Sequence, residues 1–552
     1  MVKRSLSLVF LRKFHKSSRG LKLPEKYFIT TPIYYLNAEP HIGHLYSNVL
    51  ADTVSRWYKF LQVPTYFSTG TDEHGIKVFH AASKLNKPVQ IFCDDLSHKF
   101  QNLFDKALID YTTFVRTTSP QHCRTVEHVW NKLESRGLIM EGSYEGWYCV
   151  SDEAFVSQDQ VMQVQDEHDS NRMVMIENGN AVEWVKEKNF MFPLSKFTDR
   201  LIQWLDTKVI QPDLYTLPLK QWIKSGLPDL SLSRQSDKCQ WGIPVPGHPS
   251  HTIYVWLDAV VNYLTAANYP LEDDSIWPAD CHVVGKDIIK FHAVYWPAFL
   301  MALDLPLPKK ILCHSHWQVN KEKMSKSRGN VVDPVDRLGR YSADGLRYYL
   351  MKDGSIQYDS NYSDSRAVEC INSDLVNTLG NLLSRSTGQN INPKQIFPSF
   401  DKDVFESLVT EADRKVLFQL YQIADQVNIH YQNFAINRVI ETVMSRLYDA
   451  NALFQHYKPW SLNERECQCI LHISLEAVRV ACLALQPIIP NLSDKALKRL
   501  GIEDNERSWS DIIHPINMQG FHGSRSLGRH TGPLLERLKT CGAENVNKRR
   551  GP

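Results

Sequence analysis

An apolar, β-branched run, Tyr27-Phe28-Ile29-Thr30-Thr31-Pro32-Ile33-Tyr34-Tyr35, leads into Pro40-His41-Ile42-Gly43-His44. The run reads as a buried strand of about five to eight residues, with proline tolerated near its end. Behind it Leu50, Val54, Trp57, Tyr58 and Leu61 recur at three- and four-residue steps, the mark of an amphipathic helix. Strand, turn and helix in this order commit this end of the chain to an α/β arrangement. His41 and His44 then sit at the strand-to-helix turn and face the same way. Gly43 leaves one spot there without a side chain, so that a flat or charged ligand can approach the backbone. The helix start offers N–H groups and a positive dipole end to a phosphate. Two imidazoles over such a site could stabilise charge building on a phosphate.

Residues 26–117 continue as alternating strands and helices, which argues for a parallel sheet. The second strand, Thr65-Tyr66-Phe67-Ser68, ends in Gly70-Thr71-Asp72-Glu73-His74-Gly75. Acidic residues just past a strand's C-terminal end lie where open α/β sheets bind ligands. Asp72 reads equally as a helix N-cap. Far along the chain the strand Ile311-Leu312-Cys313-His314 precedes Lys323-Met324-Ser325-Lys326-Ser327 and then Arg328-Gly329-Asn330. Two lysines three apart on a polar, Gly-bounded loop make a clamp for a departing pyrophosphate. Either string alone is as well explained by packed histidines or a solvated charge run. Both in one chain, in this order and each after a strand, point to nucleotidyl transfer.

At 552 residues the chain is too long for one core, so two to four domains are expected. A net charge of +2 raises no global field towards nucleic acid, so any RNA contact must come from local patches. The 11 cysteines include no C-x-x-C pair and do not form a secreted disulfide pattern. No run of about eighteen apolar residues predicts a membrane span. Residues 1–22 differ in kind: Lys3, Arg4, Arg12, Lys13, Lys16, Arg19 and Lys22 precede the first acid, Glu25, with serines interleaved. That pattern is a mitochondrial presequence rather than a secretory signal, because Arg12-Lys13 cuts the short apolar core. From about residue 364 helical periodicity replaces the strands, as in Leu417, Leu420, Ile423, Val427 and Ile436, Val439, Ile440, Val443. The last thirty residues, rich in glycine and ending near Lys548-Arg549-Arg550, read as a loosely ordered tail.

The two strings resemble the HIGH and KMSKS signatures of the class I aminoacyl-tRNA synthetases. Within these the chain resembles the methionyl-tRNA synthetases of the short organellar or bacterial type, over nearly all of residues 26–520. The resemblance implies a Rossmann-type parallel sheet with an inserted connective peptide, followed by an all-α anticodon-binding domain. With the basic stretch at 1–22 set apart as a presequence, it divides the chain into catalytic halves at 23–117 and 241–320 and a connective peptide at 118–240. The lysine loop and linking segment follow at 321–363, the helical domain at 364–520 and a basic tail at 521–552. The implied substrates are methionine, ATP with Mg²⁺ and tRNA(Met), in the mitochondrial matrix, with a monomer and no membrane contact expected.

Carried over by resemblance, His41, Gly43, His44, Lys323 and Lys326 are catalytic, and Met324, Ser325 and Ser327 complete the ATP-binding set. Ile33, Tyr35, Asp72, Trp256, Ala259, Tyr263, Ile288 and His292 form the methionine pocket, Asp72 taking the α-amino group. Aromatic walls suit a thioether, and a polar tip from Tyr35 or His292 near the sulfur would help reject aliphatic rivals. Val260 departs from the family's proline. Asn381, Arg385 and Trp460 match its anticodon readers; a planar indole stacks on an unpaired base. In the connective peptide Tyr144–Glu153 matches the family's zinc-knuckle flank, but only Cys149 is present and Asp152 stands where a second cysteine would be. No structural zinc is expected.

Overall fold

The computed structural model describes residues 23–149, 154–156, 158–165, 171–176, 179–271, 276–324, 329–513 and 524–539. Its centre is a seven-stranded parallel sheet. Tyr27–Thr30 lies in the middle, with Thr65–Asp72 on one side and Cys281–Gly285 on the other, in register Ile29 to Phe67 and Ile29 to Cys281. Ile311–His314 and then Ile210–Gln211 extend the second side. Thr113–Arg116 and Tyr34–Tyr35 both pair with Thr65–Asp72. Central parallel strands are covered on both faces, which is why they read as continuous apolar runs. The chain leaves the middle strand first to one side and later to the other, so a crevice opens at the C-terminal end of Tyr27–Thr30.

Three local readings change. The run expected as one strand is two, Tyr27–Thr30 and Tyr34–Tyr35, paired with the two ends of Thr65–Asp72. Pro32 stands between the two, and its missing N–H is the reason for the gap. Trp241–Pro246 and Ile253–Ala259 read in sequence as strands with which the sheet resumes, but Val255–Ala266 is a helix with Leu257 through Ala266 all buried. A helix enclosed on all sides has no polar stripe, and in a short window it is indistinguishable from a buried strand. Residues Pro244–Val245 and His248–Ile253 form a separate small antiparallel sheet with Ser233–Gln235.

Residues 118–240 carry the helix Pro120–Ser135 and an antiparallel sheet built on Met140–Cys149 and Glu183–Phe192. Inside this stretch the chain touches the main sheet again, at Ile210–Gln211. Cys149 is buried against Val156, Val161 and Met175, an apolar cluster; Asp152 lies outside the described residues.

The helical half is a bundle of Glu411–Gln432, Ile436–Tyr457, Glu464–Leu485 and Pro490–Arg499. Asn463 and Glu466 form a capping box at the start of Glu464–Leu485, satisfying two end N–H groups reciprocally. That helix is long and apolar enough to cross a membrane, but it is enclosed by the bundle, and every residue from Cys469 to Leu485 is buried. Arg347, on the helix Ala343–Asp353, joins the halves: it pairs with Asp52 at 2.6 Å and donates to the carbonyls of Pro487 and Ile488 at 2.9 and 2.8 Å. The expected loose tail is corrected in part. Residues 524–539 pack back: Arg525–Ser526 pairs with Ile396–Phe397, Leu534 is buried, and Leu538 exchanges two hydrogen bonds with Asn372, both 2.9 Å.

Candidate active site

The histidine turn sits at the crevice. His41 is the N-cap of the helix Ile42–Phe60, and its Nδ1 accepts from the Gly43 N–H at 3.0 Å. His44 Nδ1 accepts from the His41 N–H at 3.2 Å. The two rings stack with centroids 3.7 Å apart. With both Nδ1 atoms accepting, each neutral ring carries its proton on Nε2, a donor suited to an anionic oxygen. Gly43 serves a different purpose from the one expected. A Cβ there would come within 2.9 Å of His41 Cε1, so the space is taken by the His41 ring and is not an open approach. The helix-start N–H groups are engaged as well: Ile42 N–H donates to the Val332 carbonyl at 3.2 Å. That bond ties the histidine helix to the segment just beyond the lysine loop.

Asp72 ends its strand and is buried, and the N-cap of the following helix is Gly75, so the capping role is not its own. The turn is braced by its neighbours. Glu73 receives a two-pronged pair from Arg116 at 2.7 and 2.9 Å, and its carbonyl accepts from Trp241 Nε1 at 2.6 Å. His74 is bonded to Asp258 at 2.7 Å. Nothing in the spacing of Glu73, Arg116 and Trp241 foretold this brace.

Across the crevice the pocket helix Val255–Ala266 carries Trp256, Ala259 and Tyr263, at steps that share one face. Trp256 stacks on Phe291, centroids 3.4 Å apart and nearly parallel. Tyr263 is bonded to His292 Nε2 at 2.7 Å, and His292 Nδ1 to the Ile288 carbonyl at 2.9 Å. A carbonyl only accepts, so Nδ1 bears the proton and the Tyr263 hydroxyl donates to Nε2. Burial lowers the His292 pKa to about 4, which keeps the ring neutral. Both His292 nitrogens are thus committed within the protein, and the expected polar tip at the sulfur is not supplied by this ring. Ile33 packs towards Phe28, Val115 and Ala266, and Tyr35 lies beneath Lys77 Nζ at 5.1 Å from its ring centre.

Lys323 is exposed on a two-strand hairpin, Trp317–Val319 with Glu322–Lys323, turned by Asn320 and Lys321 at φ 53 and 63. Two left-handed residues make the tight turn that such a hairpin prefers. The Lys323 carbonyl accepts from Asn330 at 3.2 Å. Desolvation pushes Asp287 upward, but the His316 hydrogen bond and the charges of His316 and Lys323 outweigh it, and its pKa lies below the usual range. Met324 packs against the main core; Ser325, Lys326, Ser327 and Arg328 lie outside the described residues. His314, unmarked by the sequence, ends its strand bonded to Ser47 at 2.8 Å on the histidine helix.

A second cluster lies on the helical domain. Arg385 stands over the Phe454 ring at 4.6 Å and the Trp460 ring at 5.9 Å. Trp460 is 51% exposed, so it is not a core residue. Asn381 and Arg385 are four apart on the helix Asn381–Thr387 and share a face. A recess of about 350 Å³ adjoins Trp460. Another cavity, of about 670 Å³, opens between the sheet edge at Ile210 and the segment Asn433–Arg438, and none of the candidate catalytic, methionine-binding or anticodon-binding residues lines it.

The family model of the class I tRNA synthetases (M) matches residues 27–387. The mitochondrial methionine–tRNA ligase of Homo sapiens is 44% identical over 540 residues, covering 93% of this chain and 90% of its own. A protein of Dictyostelium discoideum named as a probable mitochondrial methionine–tRNA ligase is 43% identical over 504 residues, covering 88% and 87%. The Mycobacterium tuberculosis methionyl-tRNA synthetase, solved in complex with methionyl-adenylate, superposes with a TM-score of 0.85 at 35% identity, over 92% of this chain and 99% of its own. With a family match across most of the chain and relatives aligned along nearly all of it, this protein belongs to the class I tRNA synthetases of the methionyl type.

Proposed function

We propose that the chain is a mitochondrial methionine–tRNA ligase, acting in the matrix as a monomer. Methionine's carboxylate oxygen attacks the α-phosphate of ATP. The bond from that phosphorus to the bridging oxygen breaks, pyrophosphate leaves and methionyl-adenylate remains. The terminal adenosine of tRNA(Met), through its 2′-hydroxyl as in class I relatives, then attacks the acyl carbon and releases AMP. ATP enters with Mg²⁺, which neutralises phosphate charge.

The observation that carries this reading is that two chemistries lie beside one sheet: the stacked His41 and His44 pair at the turn after its middle strand, and the aromatic group of Trp256, Tyr263 and His292, with the Tyr263 ring 4.3 Å from the ring of His282 on the neighbouring strand. The histidines, each donating from Nε2, stabilise charge on the α-phosphate in the transition state. Lys323 and Lys326 close over the leaving pyrophosphate. Asp72 holds methionine's ammonium by charge. The pocket supplies aromatic surface to a side chain that has no strong hydrogen-bonding group, and Tyr263 and His292 spend their protons on each other and on Ile288. Asn381, Arg385 and Trp460 take the unpaired anticodon bases by hydrogen bonding and stacking.

The test is charging of tRNA(Met) transcripts with labelled methionine. ATP-dependent charging abolished by changing the anticodon supports both halves of the proposal. Charging of another tRNA in preference would overturn the assignment.

A further inference from the structure

Asp258 lies on the pocket helix but off the face that carries Ala259 and Tyr263, and it is 1% exposed. Its two oxygens are shared between two imidazoles. Oδ2 is 2.7 Å from His74 Nδ1, and Oδ1 is 2.7 Å from His122 Nε2. His74 belongs to the turn that holds Asp72, and His122 to the first turn of the helix Pro120–Ser135. His122 Nδ1 is in turn 2.8 Å from Thr265 Oγ1, seven residues beyond Asp258 on the pocket helix. An ionised carboxylate only accepts, so the protons are fixed: His74 bears one on Nδ1 and His122 one on Nε2. Desolvation would raise Asp258, but the two imidazoles outweigh it and hold the carboxylate ionised. A buried carboxylate with both oxygens satisfied by charge-assisted bonds is a stiff joint between the elements it connects.

We propose that Asp258 is a positioning residue. By gripping His74 and His122 together it sets the span between the Asp72 turn and the aromatic wall of Trp256 and Tyr263. Methionine must reach both ends of that span at once, ammonium at one and thioether at the other. The inference rests on the reading of these two ends as one methionine site. A ligand that engages only the wall has no span to match, and that difference separates positioning from general support of the fold. No bond to substrate is made by Asp258, His74 or His122 in this scheme.

The experiment uses the full chain and two ligands: methionine as substrate in ATP–pyrophosphate exchange, and 4-(methylthio)butanoate, which lacks the ammonium, as competitive inhibitor. Asp258→Asn keeps one acceptor oxygen and places an amide N–H against one of the two imidazole N–H groups. It is expected to raise the methionine KM at least about tenfold, while kcat, the ATP KM and the inhibitor Ki each change by less than about threefold. His74→Ala and His122→Ala are expected to behave alike. His74→Asn and His122→Gln, whose amide nitrogens reach the places of Nδ1 and Nε2, are expected to restore most of the methionine KM. Should Asp258→Asn not fold, these four variants decide the matter. Equal losses for methionine and for the inhibitor, no loss at all, or failure of the amide variants to rescue would overturn the proposal. Absence of methionine-dependent exchange in the unaltered chain would instead overturn the reading of the site.

Discussion

At Gly43 a single methyl group would displace the His41 ring. The added Cβ meets that ring at 2.9 Å, and moving it gives up the cap bond in which His41 Nδ1 accepts from the Gly43 N–H. Gly43→Ala is therefore expected to cost about 1 kcal/mol of stability, the scale of a lost N-cap, while lowering the exchange kcat about a hundredfold, the scale of losing one oriented donor. An unchanged kcat would show that the stacked histidine arrangement is not the working one. The need for glycine was legible in the sequence, but its reason was not, because the folding of a histidine ring back over its own helix start leaves no periodic trace.

His292 offers a test of the same scale in pH. Burial depresses its pKa to about 4, so the ring is neutral from pH 6 to 8.5 and the methionine KM should be flat with respect to this group. Below about pH 5 protonation of Nε2 reverses the bond with Tyr263, the ring donating to the Tyr263 hydroxyl and carrying a charge among the aromatic side chains, and the KM should climb. A rise in KM centred near pH 6.5 would mean that the ring titrates in water rather than in the pocket.

Among the elements, the histidine helix, the central strands and the long bundle helices were all visible, since each buries one face or both in a regular rhythm. The helix Val255–Ala266 was not, because Leu257 through Ala266 are all buried and periodicity has nothing to grip. The brace around Glu73 was hidden for another reason: Arg116, Thr118 and Trp241 meet it only through the fold. The two candidate clusters stand on separate elements, and that separation is testable. Lys326→Ala is expected to lower adenylate formation by orders of magnitude and leave tRNA affinity nearly unchanged. Trp460→Ala should do the reverse, sparing exchange and cutting tRNA charging, with about 1–3 kcal/mol of base stacking at stake. Equal losses of adenylate formation and tRNA affinity in Lys326→Ala, or of exchange and charging in Trp460→Ala, would contradict the assignment.

On the scale of the molecule, the two halves share a continuous core. Trp57 on the histidine helix stacks on Tyr431 of the bundle at 4.2 Å, and Arg347 and Asp52 lock the same junction. That core also buries several neutral histidines. His292 and His314 have pKa values lowered to about 4 by burial, and His282 and His472 are lowered by the same cause. The unfolded chain takes up these protons near pH 6.5, before the folded one does, so stability is full above that value and is lost as pH falls towards 4. Each of the two groups near 4 contributes up to about 3 kcal/mol to that loss. The melting temperature should fall steeply between pH 6.5 and 4, and less steeply in His314→Gln, which has no proton to take up; parallel curves would refute this account of His314. The packed tail at 524–539 went unread for the opposite reason, since glycine-rich sequence gives no sign of the partner strand Ile396–Phe397 waiting for it.

Methionine activation at the His41 and His44 crevice is tested by ATP–pyrophosphate exchange with each of the twenty amino acids, without tRNA. Exchange is expected with methionine alone and is lost in His44→Ala. Exchange supported by a different amino acid, or none from a folded chain, would contradict it.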